Sequence, residues 1–205
     1  MSDGSKEIIL QKIRKALANP MPKPFPEVNA THNLYKPPGN DLAVEFAEQF
    51  VSLQGKFSWC QDKNECRLQL IHLVQLRGWK KLFCADNDLR NLFNLEWSDD
   101  LAGCDAAITG CEALVTRTGT MVLSAAQTNG RTSSVYAPIH ICIAFADQLV
   151  PDIFHALELV STKYKGKLPS LISFASGPSR TADIEKTLVT GVHGPKEVFC
   201  FLVDD

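Results

Sequence analysis

Ten consecutive residues, Ser176-Gly177-Pro178-Ser179-Arg180-Thr181-Ala182-Asp183-Ile184-Glu185, hold the densest chemistry in this chain. Gly177 lets backbone approach a ligand closely. Ser179 and Thr181 bring hydroxyls, as does Ser176, and Arg180 brings a planar five-donor fork suited to an oxyanion. If Asp183 opens a helix, its orphan N–H groups add to the same field. A local reading competes: Ser179 or Thr181 caps that helix, and Arg180 pairs with Asp183 or Glu185. Residues 171–175 just before this segment read as a strand, so the segment leaves the carboxyl end of a sheet strand, the edge where open α/β sheets bind ligands.

Other candidate groups are more scattered. Thr118-Gly119-Thr120 has the composition of a hairpin turn. Arg131 follows a flexible stretch at 127–130, and either serves a ligand or is a solvated charge. His140 opens an apolar strand, where a core histidine bonded to backbone is the plain alternative. His193 lies in Gly191-Val192-His193-Gly194-Pro195, exposed for acid–base work or decorating a turn. The seven cysteines (Cys60, Cys66, Cys84, Cys104, Cys111, Cys142 and Cys200) form no C-x-x-C pair, and the five histidines show no H-x-x-x-H spacing. Neither a metal site nor an iron–sulfur cluster has its usual ligands, so no metal or cofactor is expected. Several cysteines lie inside apolar runs, where a thiol acts as a small hydrophobe.

The elements that must position these groups follow from periodicity. Residues 5–18 carry Ile8, Ile9, Ile13, Ala16 and Leu17 on one helical stripe, and the prolines from Pro20 to Pro38 make an extended tether. This predicts an arm over 1–40 and an α/β domain over 41–205. Within the domain, helices over 41–54 and 64–77 alternate with strands over 56–60, 81–85 and 106–109. That rhythm points to βαβ units and a mostly parallel sheet. Strands over 114–117 and 121–125 are too close for a crossover and make a hairpin, so the sheet is mixed. A strand over 139–146, a helix over 147–163 with Pro151 near its first turn, and a last strand over 198–203 complete the reading.

Composition narrows the function classes. Charged residues are 21% of the chain, the formal net charge is -2, and no basic stripe exists, which argues against nucleic acid as a main partner. The N-terminal segment lacks the apolar core of a signal peptide or membrane span. With an odd number of cysteines, this predicts a cytoplasmic protein. A homo-oligomer stays open.

The motifs taken in order, T-G-T-M-V-L, Arg131, P-I-H-I, S-G-P-S-R-T-A-D-I-E and G-V-H-G-P, are specific. From about Asp41 to the C-terminus the chain resembles the LUD-domain family, in its lactate-utilisation protein C (LutC/YkgG) branch. The resemblance implies a three-layer α/β/α, NagB/RpiA/CoA-transferase-like fold. It also implies a part in oxidising L-lactate to pyruvate, alongside partner proteins that carry redox chemistry at least partly through iron–sulfur clusters. One departure matters: the family's usual acidic residue before T-G-T is Arg117 here, with Glu112 five residues earlier.

Three functions remain in competition. The first is an assisting subunit of a lactate-oxidising complex that binds a small anion. The second is a stand-alone enzyme on a phosphorylated or CoA-linked metabolite, with Glu112 as nucleophile or base and Arg180 holding the anion. The third is a sensor of small carboxylates. His193 is the other catalytic candidate.

Overall fold

A computed structural model gives the fold and describes residues 3–18, 39, 41–128, 130–182 and 188–204. The chain divides into two units, Met1–Pro37 and Pro38–Asp205. In the first, α1 (Asp3–Ala18) forms on the residues whose apolar spacing predicts a helix. The expected proline tether falls on 19–38, outside the described residues.

The second unit begins with α2 (Leu42–Ser52), whose first amides are capped by Asp41 through Ala43 N and Val44 N. β1 (Lys56–Cys60) leads to α3 (Lys63–Arg77), capped by Asp62 and closed by Gly78 at a φ of 66°. After β2 (Leu82–Cys84) comes α4 (Asn87–Phe93), capped by Asp86, and then β3 (Ala106–Thr109). β4 (Ala113–Val115) and β5 (Thr120–Ser124) form the expected hairpin, joined by a 3-10 turn over Thr116–Thr118 and by Gly119. The short α5 (Ser133–Tyr136) precedes β6 (Ile139–Phe145). Here the structure differs from the expected 147–163 helix. A 3-10 turn and β7 (Leu149–Val150) come first, and α6 (Ile153–Lys163) starts at the Asp152 cap, so Pro151 lies before the helix. β8 (Ile172–Ala175), β9 (Arg180–Ala182), β10 (Leu188–Thr190) and β11 (Glu197–Val203) finish the chain.

Five strands, in the order β1-β11-β6-β3-β2, make an all-parallel sheet. The expected mixed character resides in a second sheet, β7-β4-β5-β8, where β5 runs antiparallel to both neighbours. β9 and β10 pair as a separate ribbon.

Side-chain alternation along β6 and β11 explains the layering. Ile139, Ile141 and Ile143, with Phe199, Phe201 and Val203, face α3 and α4 and their buried Leu70 and Phe93. Cys142, Ala144, Cys200 and Leu202 face the other way, onto Phe46 and Phe50 of α2 and onto Leu114, Met121 and Leu123 of the second sheet. α6 covers the far side of that sheet through Ala156 and Val160. The parallel sheet therefore has helices on both sides, with the second sheet sharing one side with α2. Among the described residues, no helix is long and apolar enough to cross a membrane.

Candidate functional site

The two motif segments near the C-terminus meet. The Ser179 amide donates to the Pro195 carbonyl at 2.9 Å, and the Gly191 amide donates to the Ser179 carbonyl at 2.9 Å. A Cβ on Gly194 would sit 3.0 Å from Ser179 Cβ, so the turn at 191–195 lies flat against Ser179. Behind them is a cavity of about 180 Å³ that brings together Arg131, His140, Gly177, Ser179 and His193. Leu123, Val198 and Ala175 supply apolar walls, and Ser134 and Ser173 add hydroxyls. Among the described residues no carboxylate lines it.

Its location follows from the strands. His140 and Val198 are the second residues of β6 and β11 and share the sheet face toward β5 and β8. The cavity thus lies at the amino ends of two parallel strands. β8 runs antiparallel to β5. The strand-end argument drawn from the sequence, which presupposes an open parallel sheet, does not describe this edge.

His140 is 1% exposed, and its Nε2 shares a hydrogen bond of 2.8 Å with Thr109 Oγ1. Burial pulls its pKa down to about 4, so the ring is neutral at physiological pH. The bond to Thr109 replaces the backbone bond expected of a core histidine. Arg131 and His193 are exposed, at the cavity's surface. Arg131 Nη2 donates to Ser170 Oγ at 2.6 Å, which holds the guanidinium beside the cavity.

Arg180 is placed differently from the expectation. Ser179 lines the cavity, but Arg180 begins β9, lies opposite Thr190 and is exposed. Thr181 is also a strand residue, so it caps no helix. Asp183 and Glu185, with the helix start imagined there, lie outside the described residues.

The T-G-T turn sits beside this cavity without lining it. Thr120 Oγ1 lies 2.8 Å from Thr118 Oγ1 and 2.6 Å from Ser176 Oγ, a hydroxyl chain that ties the hairpin to the start of the second motif. Gly119 and Gly177, both at positive φ (55° and 86°), press against the end of α2. A Cβ on Gly119 would come 2.5 Å from Phe50 N, and one on Gly177 2.5 Å from Leu53 O. These turn residues fix the loop geometry.

Glu112 is elsewhere. Its side chain is 0% exposed, Oε1 accepts from Ser124 Oγ (2.5 Å) and Tyr164 OH (2.8 Å), and Oε2 accepts from Lys163 Nζ (2.7 Å). Burial pushes its carboxyl up, but the hydrogen bonds from Lys163, Ser124 and Tyr164 outweigh burial and hold it below the usual carboxylate range. A carboxylate so fully engaged is a structural anchor. The thiols are likewise core groups: all seven cysteines are buried, and burial pushes the Cys84 thiol up to about 11. Thr109, Ser134 and Ser173 were missed by sequence reading. Only Ser173 carried a signal, as a polar residue in an apolar strand.

Comparisons with known proteins bear on the family and the fold. The profile of the LUD domain matches residues 80–203. Over 95% of the chain and 91% of the relative's length, the sequence is 26% identical to an uncharacterised protein of Neisseria meningitidis. It is 34% identical to lactate utilization protein C of Deinococcus radiodurans over 51% of this chain and 49% of that protein. It is also 34% identical to lactate utilization protein C of Bacillus subtilis over 49% of this chain and 43% of that protein. The chain thus spans about half the length of these lactate-utilisation relatives. The crystal structure of a DUF162 family protein from Deinococcus radiodurans shares the fold, with a TM-score of 0.58 at 18% identity, over 79% of this chain and 96% of that one. With a domain profile covering more than half of its length, this chain belongs to the LUD domain family.

Proposed function

We propose that this chain is a small-anion-binding subunit of an L-lactate utilisation system, acting beside iron–sulfur partner proteins in the cytoplasm. One observation carries the reading. Residues of the P-I-H-I, S-G-P-S and G-V-H-G-P segments converge with Arg131 on a cavity that has Arg131 and His193 at its surface, neutral His140 within it and, among the described residues, no carboxylate. Its volume of about 180 Å³ is below the roughly 300–1,000 Å³ of sites for drug-sized ligands, as suits a small organic acid. In this reading Arg131 takes the carboxylate in a charge-assisted pair, and the His140 and Ser179 side chains hydrogen-bond a neighbouring hydroxyl or keto oxygen. The names of the relatives support lactate and pyruvate as the acids to try first.

Calorimetric titration of the purified chain with L-lactate, pyruvate and acetate tests this. Saturable binding of a 2-oxygenated acid, weakened roughly 10-fold or more by Arg131→Ala, is expected. If no small carboxylate binds, the cavity is not an acid site.

A further inference from the structure

A second, larger opening lies at the other end of the parallel sheet. It holds about 490 Å³ beyond the carboxyl ends of β2, β3 and β6, where Asp86, Gly110 and Phe145 line it. This is the edge at which α/β sheets characteristically take ligands, and the volume falls in the range of roughly 300–1,000 Å³ usual for cofactor-sized molecules.

Its walls carry three kinds of chemistry. Lys63, at the start of α3, and Lys163, at the end of α6, supply two cations. The Lys163 ammonium is held by buried Glu112, and its side chain remains 52% exposed at the crevice. An ammonium has three N–H donors and Glu112 takes one, so Lys163 arrives pre-oriented with donors to spare. Asp86 caps α4 and Asp88 stands in its first turn. One Asp86 oxygen, Oδ1, receives the Asp88 and Leu89 amides at 2.9 and 3.3 Å, which leaves the other oxygen to accept. Leu89, Leu92 and Ile143 provide an apolar floor next to Phe145.

We propose that this crevice binds a nucleoside phosphate. The phosphate sits on Lys63 and Lys163, the ribose hydroxyls on Asp86 and Asp88, and the base on the apolar floor. Cations alone would suit any anion. The carboxylates beside them would repel a simple one, but they accept from a diol, as acidic residues do for ribose in dinucleotide sites. The site needs no glycine-rich fingerprint, because side chains rather than a backbone turn supply the phosphate contacts. The same chemistry occurs in a free mononucleotide and in the nucleotide half of a larger cofactor.

The test is titration of the full chain with AMP, NAD+, coenzyme A, adenosine and inorganic phosphate, monitored by calorimetry. Lys63→Ala and Asp88→Asn change exposed side chains, so both variants should fold. AMP is expected to bind saturably, with each variant weakening it about 10-fold. Tighter binding of NAD+ or coenzyme A with the same response supports the site and assigns it to the larger cofactor. No saturable binding of any nucleotide overturns the proposal. So does phosphate binding as tight as AMP with no effect of Asp88→Asn. AMP binding lost in Arg131→Ala but kept in both crevice variants would move the nucleotide to the other cavity and overturn it too.

Discussion

Two openings of this domain are built by different means. The cavity at the amino ends of β6 and β11 has one wall made from two motif segments, 176–179 and 191–195, pinned to each other by backbone hydrogen bonds. The crevice at the carboxyl ends is lined from α3, α4, the end of β6, the end of α6 and the turns after β3 and β5, spread from Lys63 to Tyr164. Among the described residues the first has no carboxylate, whereas the second mixes two lysines with two aspartates. Between them runs the segment after β5, with Gln127 and Thr128 on the crevice and Gly130, Arg131 and Ser134 on the cavity. Motif density in a sequence finds the first kind of site, and strand-end topology finds the second. Neither guide alone finds both.

The largest expected effect comes from one glycine in each opening. Gly177 has a φ of 86°, and a Cβ there would meet the Leu53 carbonyl at 2.5 Å. Gly110 has only ordinary contacts, at 3.9 Å to Gln127 Nε2 and the Ile143 carbonyl. Gly177→Ala is expected to cost about 3 kcal/mol or more, because backbone must move and a left-handed conformation must be kept. Gly110→Ala should stay within about 1 kcal/mol. Urea unfolding of the two variants checks the contrast, and equal losses would show that the motif loops are no more rigid than the crevice.

Glu112 comes next. Removing it leaves Lys163, Ser124 Oγ and Tyr164 OH without their shared acceptor. Because Lys163 is half exposed and can rehydrate, Glu112→Ala is expected to cost about 2–3 kcal/mol, less than breaking a fully buried pair. Its folded pKa is depressed, so its contribution is fully present above the unfolded value and fades as pH falls through the folded one. The stability gap between the native chain and Glu112→Gln should therefore be constant near neutrality and close in acid. A gap that stays open at low pH would mean that charge is not what anchors the network.

How much of this was legible beforehand differs between elements for physical reasons. Strands such as β6 and β11, apolar on both faces, and helices marked by Asp62 and Gly78 announce themselves locally. α4 has only 7 residues, too few for its periodicity to stand out. The start of α6 is ambiguous in the sequence because Asp147 and Asp152 both resemble caps, and only packing of β7 on β4 tells them apart. Pairing is nonlocal, so nothing in the strands themselves shows that β4 and β5 leave the main sheet. At the site, each of the two C-terminal motifs was readable by its own composition, but their meeting through Ser179, Gly191 and Pro195 is a nonlocal contact that the sequence does not show. The outward placement of Arg180 was not readable either, because the R-T-A strand pairs with β10 and turns alternate residues to opposite faces.

His140 gives a smaller, pH-dependent signal. Its folded pKa of about 4 lies below the unfolded value near 6.5, so between these values the unfolded chain binds the extra proton. Stability should consequently fall as pH drops from 6.5 toward 4, with a loss of about 1 kcal/mol already at pH 5.5. His140→Gln should flatten that slope whatever its effect at neutral pH. Thermal unfolding from pH 7.5 to 5 measures it, and an unchanged slope would show that the ring is solvated and outside a buried cavity floor.

The smallest effect is expected at Arg180, and it sharpens the boundary of the cavity. The side chain is exposed and makes no ion pair with any described residue, so Arg180→Ala should change stability by no more than about 0.5 kcal/mol. Its neighbour Ser179 lines the cavity, which leaves the guanidinium near enough to draw an anion without gripping it. Such steering acts through solvent. At about 0.01 M salt the screening length is near 30 Å, and at 1 M it is near 3 Å. Arg180→Ala should thus weaken lactate or pyruvate binding a few-fold at low salt and hardly at all at high salt, and Arg180→Lys, which keeps the charge, should behave as the native chain. Arg131→Ala should lose about 10-fold under both conditions, since its fork meets the acid directly. Isothermal titration at two ionic strengths separates the cases. A loss of 10-fold or more for Arg180→Ala that persists in high salt, and is not restored by lysine, would put the Arg180 fork on the ligand and extend the site along β9.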